Sequence, residues 1–237
     1  MKKMAFFVEG FTEMAFLCKY ISEVYDKSKI SITSMKVKGG SSVPISFGII
    51  KAKSVAINNT NYHILIYNCG GETTLRTYII NQRKTLIKEG FSRIIGIRDV
   101  FPNNKREDIH TLMKGLKYKL PQTEITIDFI LSIMEIEAYF LCEHTHYSKI
   151  NPSLNSTLIK ANLSFDPEID NMESLNNPAK DLHDCYQLVG ESYTKDNNLI
   201  ERTIDTLNFA ELYFNHSNTY STLGRLKAEL DTFLDVN

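Results

Sequence analysis

Short apolar runs punctuate the first half of the chain at residues 4–8, 30–37, 62–67, 93–97 and 125–133. Each is rich in branched or aromatic residues and bounded by polar or glycine-containing turns, the pattern of strands buried on both faces. Between them the apolar spacing changes to that of a helix. Met14, Leu17, Cys18, Ile21, Val24 and Tyr25 form one stripe, and Leu75, Tyr78, Ile79, Gln82, Leu86 and Ile87 form another. The second stops with Lys88 in its last turn and Gly90 just beyond, a regular helix stop. Ile109, Leu112, Met113 and Leu116 mark a third, ended by Pro121. A further helix is expected over roughly residues 44–57.

Strand–helix alternation of this kind predicts an α/β fold with a mostly parallel sheet flanked by helices. From residue 134 the pattern turns helical. Ile200, Ile204, Leu207, Ala210 and Phe214 read as one helix, and Leu223, Leu226, Leu230, Phe233 and Leu234 as the last. The segment 151–177, rich in Asn, Ser, Asp and Pro, reads as a long irregular connection. The expected organisation is an α/β core over 1–142 and a helical C-terminal region over 143–237, packed on that core.

Ligands of parallel sheets bind beyond the carboxyl ends of the strands. Those ends carry Glu9-Gly10, Lys38-Gly39-Gly40, Gly70-Gly71-Glu72 and Arg98-Asp99. Acids and glycines therefore gather where chemistry is expected. A P-loop is excluded by the lack of G-x-x-x-x-G-K-[ST], and a dinucleotide fingerprint by the single glycine of the first turn. Gly39-Gly40 and Gly70-Gly71 are then either phosphate-binding turns or plain tight connections from strand to helix. Clustered carboxylates suit Mg²⁺, which takes one or two of them together with substrate phosphate oxygens. Glu9, just before a helix, could equally cap it.

Charge changes this picture. The net value of −1 hides 20 Lys and Arg against 9 Asp and Glu in residues 1–120, and 7 against 19 in residues 121–237. A basic half suits a polyanion such as nucleic acid. Alternatively, the two halves attract each other, within the chain or across a homodimer. The four cysteines are scattered without a C-x-x-C pair, as expected of reduced thiols in a cytoplasmic protein. No apolar run reaches the roughly 18 residues of a membrane span. Glu143-His144-Thr145-His146 fits no zinc spacing and reads as an exposed loop. No Ser/His/Asp or Cys/His arrangement suggests a side-chain nucleophile.

Phe7-Val8-Glu9-Gly10-Phe11-Thr12-Glu13 resembles the first motif of TOPRIM domains, the strand–Glu–Gly turn of primases, topoisomerases and several nucleases. Ile95-Gly96-Ile97-Arg98-Asp99-Val100-Phe101-Pro102 stands where those proteins carry Asp-x-Asp. Met134-Glu135-Ile136-Glu137-Ala138-Tyr139 is similar to the Glu-x-Glu-Ala-Trp segment of small bacterial TOPRIM-like proteins, often linked to phage defence or mobile elements. The stretch from Pro178-Ala179 to Asp181-Leu182 and the helical tail also resemble that group, so the likeness runs through most of the chain.

The resemblance implies a Rossmann-like TOPRIM core and a Mg²⁺- or Mn²⁺-dependent phosphodiesterase, a nuclease acting on DNA or RNA. In that role Glu9 is general acid/base or metal ligand and Asp99 the principal ligand, while Lys38 and Arg98 neutralise the scissile phosphate. Phe101 departs from the pattern, because it replaces the second Asp of Asp-x-Asp. A substitute ligand is then needed from Glu72, Glu135 or Glu137. The last two share a face if the strand continues and point apart on a helix. The other reading implied is a TOPRIM-like module without catalysis, which binds nucleic acid or nucleotide or regulates a partner ATPase.

Overall fold

The structure is a computed structural model that describes residues 1–40, 43–53, 60–121 and 124–236. In chain order its first elements are β1 (Lys2–Val8), α1 (Phe11–Val24), β2 (Ile30–Gly40), β3 (Val43–Lys53) and β4 (Tyr62–Asn68). They are followed by α2 (Glu72–Lys88), β5 (Arg93–Asp99), α3 (Ile109–Lys117) and β6 (Thr126–Ser132). One six-stranded sheet has the order β3-β2-β4-β1-β5-β6. β1 runs parallel to β4 and β5, β2 runs parallel to β4, and β3 is antiparallel to β2. The fold is α/β with a mostly parallel sheet and helices between the strands.

Met4 to Val8 are fully buried, as the central strand of a sheet covered on both faces must be. Its neighbours follow suit, with Ile64 and Ile66 in β4 and Ile94 and Ile95 in β5 fully buried. Gly96 makes room in this packing, since a Cβ there would lie 2.6 Å from Cδ1 of Phe129.

The helix expected over 44–57 is instead the edge strand β3, as far as residue 53. Residues 54–57 lie outside the described residues. Val43, Ile45, Phe47 and Ile49 alternate along it with period two, and Pro44 is tolerated because an edge strand need not satisfy every ladder bond. Gly39 and Gly40 consequently belong to β2, whose Gly40 pairs with Val43 of antiparallel β3, and do not form a strand-to-helix turn. Gly70 and Gly71 do form one. Their φ angles of 70° and 150° lie in the region that favours glycine, and Gly71 caps α2.

The chain divides into two compact units. The first comprises 1–98, 108–131 and 229–237, and holds most of the sheet with α1, α2 and α3. Within it Lys2 Nζ meets Asp235 Oδ1 at 2.6 Å, Tyr25 donates to Asp231 at 2.8 Å, and Arg93 pairs with Glu229.

The second comprises 99–107 and 132–228 and is helical. Its elements are α4 (Glu137–Cys142), α5 (Tyr147–Ile150), α6 (Ser156–Asn162), α7 (Pro178–Gln187) and α8 (Asn197–Thr206). Then α9 (Phe209–Glu211) and α10 (Ser217–Thr219) flank a π-helical turn, Leu212–His216. The last helix, α11 (Ser221–Leu234), begins in this unit and supplies its final turns to the first.

Two helical expectations need correction here. The segment 151–177 is not wholly irregular, because Asn155 accepts from the Leu158 N–H and starts α6. The single helix through residues 200–214 is broken at Leu207 and Asn208. The Asn208 side chain accepts from the amides of Ala210 and Glu211, which restarts the helix in a new direction and leaves Phe214 64% exposed.

Among the described residues no helix is long and apolar enough to cross a membrane. All four cysteines are free. Burial pushes the thiols of Cys69 and Cys185 up to about 12, which keeps them protonated.

Candidate functional site

In the first unit the ends of β1 and β4 are tied together. The Cys69 N–H donates to Val8 O and the Gly71 N–H to Glu9 O, each at 2.9 Å. Asn68 Oδ1 receives the Gly70 N–H at 3.0 Å, and Thr74 Oγ1 closes the turn onto Cys69 O and Gly71 O. These bonds fix the backbone on which Glu9 sits. Glu13 closes the capping box of α1: its Oε2 accepts the Gly10 N–H at 2.8 Å from a buried position.

Glu9 also faces the neighbouring strand. The parallel register pairs Val8 with Ile97, so the next residues, Glu9 and Arg98, come side by side. Arg98 Nε lies 3.6 Å from Glu9 Oε1, and both side chains are largely covered. Lys38 is exposed on β2, opposite Ser46 of β3. Glu72 is the first residue of α2, and its side chain lies outside what is described.

The second unit holds Asp99, Glu135 and Glu137. β6 ends at Ser132, and the backbone turns sharply at Met134, whose φ is 66°. Glu135 and Glu137 therefore lie neither on one strand nor on one helix. They converge all the same, through a residue that sequence reasoning missed. Lys195 Nζ stands 2.5 Å from Glu137 Oε1 and 3.7 Å from Glu135 Oε1. Tyr193 donates to the same Glu137 oxygen at 2.7 Å, and Glu135 Oε2 accepts the Ala179 N–H in the first turn of α7. The second oxygen of Glu137 is buried without a hydrogen bond.

Burial, reinforced by the charge of Glu137, holds the Glu135 carboxyl above its usual range. Partial burial opposes the charge on Lys195. The nearby carboxylates of Glu137 and Asp99 outweigh it and raise the ammonium above its ordinary value. The loop that carries Lys195 is fixed by Arg202, which donates to Ser192 O and Glu191 Oε2 at 2.8 Å each. His183 contacts Tyr193 O at 2.7 Å. Only the Glu-x-Glu pair, which would demand a nearby cation once buried, could have signalled Lys195 in advance.

Glu143-His144-Thr145-His146 corrects another expectation. It is a 3₁₀ turn in which Glu143 and His146 are fully buried, not an exposed loop. Glu143 accepts from Thr145 and from the Asn208 N–H, and the His146 ring spans Glu143 O and the Tyr186 hydroxyl. Burial pulls the imidazole down to about 4, so the ring is neutral. The motif is a structural pin.

Within neither unit do three His, Cys, Asp or Glu side chains among the described residues gather as a metal-binding group. No family model matches the chain, and neither does any curated protein or solved structure.

Proposed function

We propose that this chain is a TOPRIM-like module that binds nucleic acid through its basic unit without cutting it. One observation carries the reading: carboxylates that a nuclease would offer to Mg²⁺ lie against basic side chains. Arg98 lies beside Glu9, and Lys195 bridges Glu137 and Glu135. Mg²⁺ takes oxygen ligands in near-octahedral array, one or two of them carboxylates open to the ion. A guanidinium beside Glu9 and an ammonium at hydrogen-bond distance from Glu137 each repel a second cation, so Glu9, Glu135 and Glu137 do not fit that ion as they stand.

The affinity for a polyanion comes from charge. The first unit carries 18 Lys and Arg against 12 Asp and Glu, the second 9 against 16. Phosphate neutralisation by the first, with release of counterions, supplies binding that weakens steeply with salt. The Glu-Gly turn at Glu9 and the Glu-x-Glu-Ala-Tyr segment at 135–139 support the TOPRIM-like assignment.

The test is fluorescence anisotropy and gel analysis of labelled single- and double-stranded DNA and RNA, with Mg²⁺, Mn²⁺ or EDTA. Salt-sensitive binding with the strand intact in every buffer is expected. Metal-dependent cleavage that disappears in Glu9→Gln and Asp99→Asn would overturn the reading in favour of a nuclease.

A further inference from the structure

At the end of α3, in the first unit, the chain makes a tight turn that presents an aromatic ring among cations. Tyr118 is 60% exposed, although Leu116 and Leu120 on either side are buried. Lys119 Nζ lies 5.2 Å from the centre of the Tyr118 ring, within cation–π range. Lys114 and Lys117, one helical turn apart on α3, are both exposed. Lys117 is partly neutralised by Asp128 at 2.6 Å, while Lys114 and Lys119 project into solvent.

The turn is pre-formed. Arg76 of α2 reaches across to it, with Nε donating to Leu116 O at 3.2 Å and Nη2 to Tyr118 O. The N–H of Tyr118 donates to Gly115 O, and that of Leu120 to Lys117 O, each at 3.3 Å. Lys119 has φ of 51°, a left-handed conformation that a residue with a side chain adopts at a cost. Two buried leucines and a guanidinium thus hold a strained turn whose visible product is an exposed tyrosine. The exposed part of such a ring contributes nothing to the fold, since that area is not removed from solvent.

We propose that Tyr118 is a stacking platform for an unpaired base, with Lys114 and Lys119 receiving the flanking phosphates, so that the ligand is single-stranded nucleic acid. This rests on the nucleic-acid reading above and narrows it. An exposed ring fixed by its backbone meets any base face at little entropic cost, and neighbouring lysines track the phosphates whatever the sequence. A duplex keeps its base faces stacked on one another and offers the ring nothing to cover.

The experiment uses the full chain and a fluorescent oligothymidylate of about twenty nucleotides, with a duplex of equal length as comparison, at a length suited to one such site. Tyr118→Ala should weaken oligothymidylate binding about tenfold, and Tyr118→Phe should stay within about twofold, because the ring is retained. Lys119→Ala should lower the slope of log affinity against log salt by about one. Duplex binding should not respond to Tyr118→Ala.

If Tyr118→Ala binds oligothymidylate as tightly as the unchanged chain does, the platform is wrong and the nucleic-acid reading survives. If the unchanged chain binds no strand even at low salt, both fall. The lysines could instead face the acidic unit of a second copy. A change in sedimentation with Tyr118→Ala, without a change in oligonucleotide affinity, would overturn the platform in favour of self-association.

Discussion

Lys195 is the counter-ion of Glu137: the ammonium is half-exposed, and the carboxylate it meets at 2.5 Å is fully buried. The pair is asymmetric in its need. Lys195 would be hydrated if released, whereas Glu137 would keep only the Tyr193 hydroxyl and a second oxygen without a hydrogen bond. Removing the cation is therefore the damaging change, because it strands a charge where water does not reach.

Lys195→Met should lower stability at pH 8 by about 2–3 kcal/mol, read from urea denaturation. The loss should narrow toward acid pH, because Glu135 takes up its proton above the usual carboxylate range and relieves the repulsion. Lys195→Met with Glu137→Gln should recover most of it. A single variant as stable as the parent would show that the pair does not hold this unit together.

His146 gives the fold a pH dependence of definite sign. Its folded value is about 4 against 6.5 in a free chain, so between these values the unfolded state binds more protons than the folded one. Stability should be full above about pH 6.5 and fall as pH drops toward 4, by on the order of 3 kcal/mol at most. Glu143 acts in the opposite sense at the acid end, because its carboxyl is held above the usual range by burial. Comparing the parent with His146→Gln by thermal melts across pH 4–8 isolates the histidine. Equal slopes would contradict a neutral buried ring.

Glu9→Gln removes one negative charge beside Arg98 and keeps the shape of the site. Oligonucleotide affinity at low salt should rise about two- to threefold, as for any single phosphate-repelling charge removed. Stability should fall, because the largely covered Arg98 loses the charge beside it. Anisotropy titration decides; weaker binding would mean that Glu9 itself contacts the ligand.

Gly96→Ala should cost about 1–3 kcal/mol by overpacking, because the new methyl would meet the Phe129 ring and Leu75 Cδ2. Adding Phe129→Leu should return part of the loss in melting temperature.

Much of the sheet was legible because its central strands are buried on both faces. Met4–Val8 in β1 and Ile94–Ile95 in β5 are continuous apolar runs that no amphipathic helix would show. β3 was not legible. Its Gly48 and Ile50 blur the alternation, and Gly39-Gly40 can join two antiparallel strands as well as a strand and a helix. At the candidate sites, strand-end placement followed from the alternation of elements, whereas the Glu9–Arg98 neighbourhood needed the strand order, which puts β5 beside β1. The partnership of Glu137 with Lys195 spans 58 residues and depends on how a loop after α7 is pinned, which no local pattern encodes. The burial of His146 is hidden from the sequence for a related reason. A short polar string looks solvated until Tyr186, distant in sequence, covers it.

The salt bridge from Lys2 to Asp235 links positions 233 residues apart, and the first unit takes Glu229–Asn237 from beyond the whole of the second. On the ribosome β1 emerges early, but Asp231 and Asp235 reach Tyr25 and Lys2 only after the intervening helical unit has been made. The first unit must therefore wait, partly assembled, for its last pieces. Closing so long a loop is slow compared with local helix formation. The helical unit is thus free to fold while still attached to an unfinished sheet. Ribosome arrest before residue 229 should leave that sheet open to proteolysis.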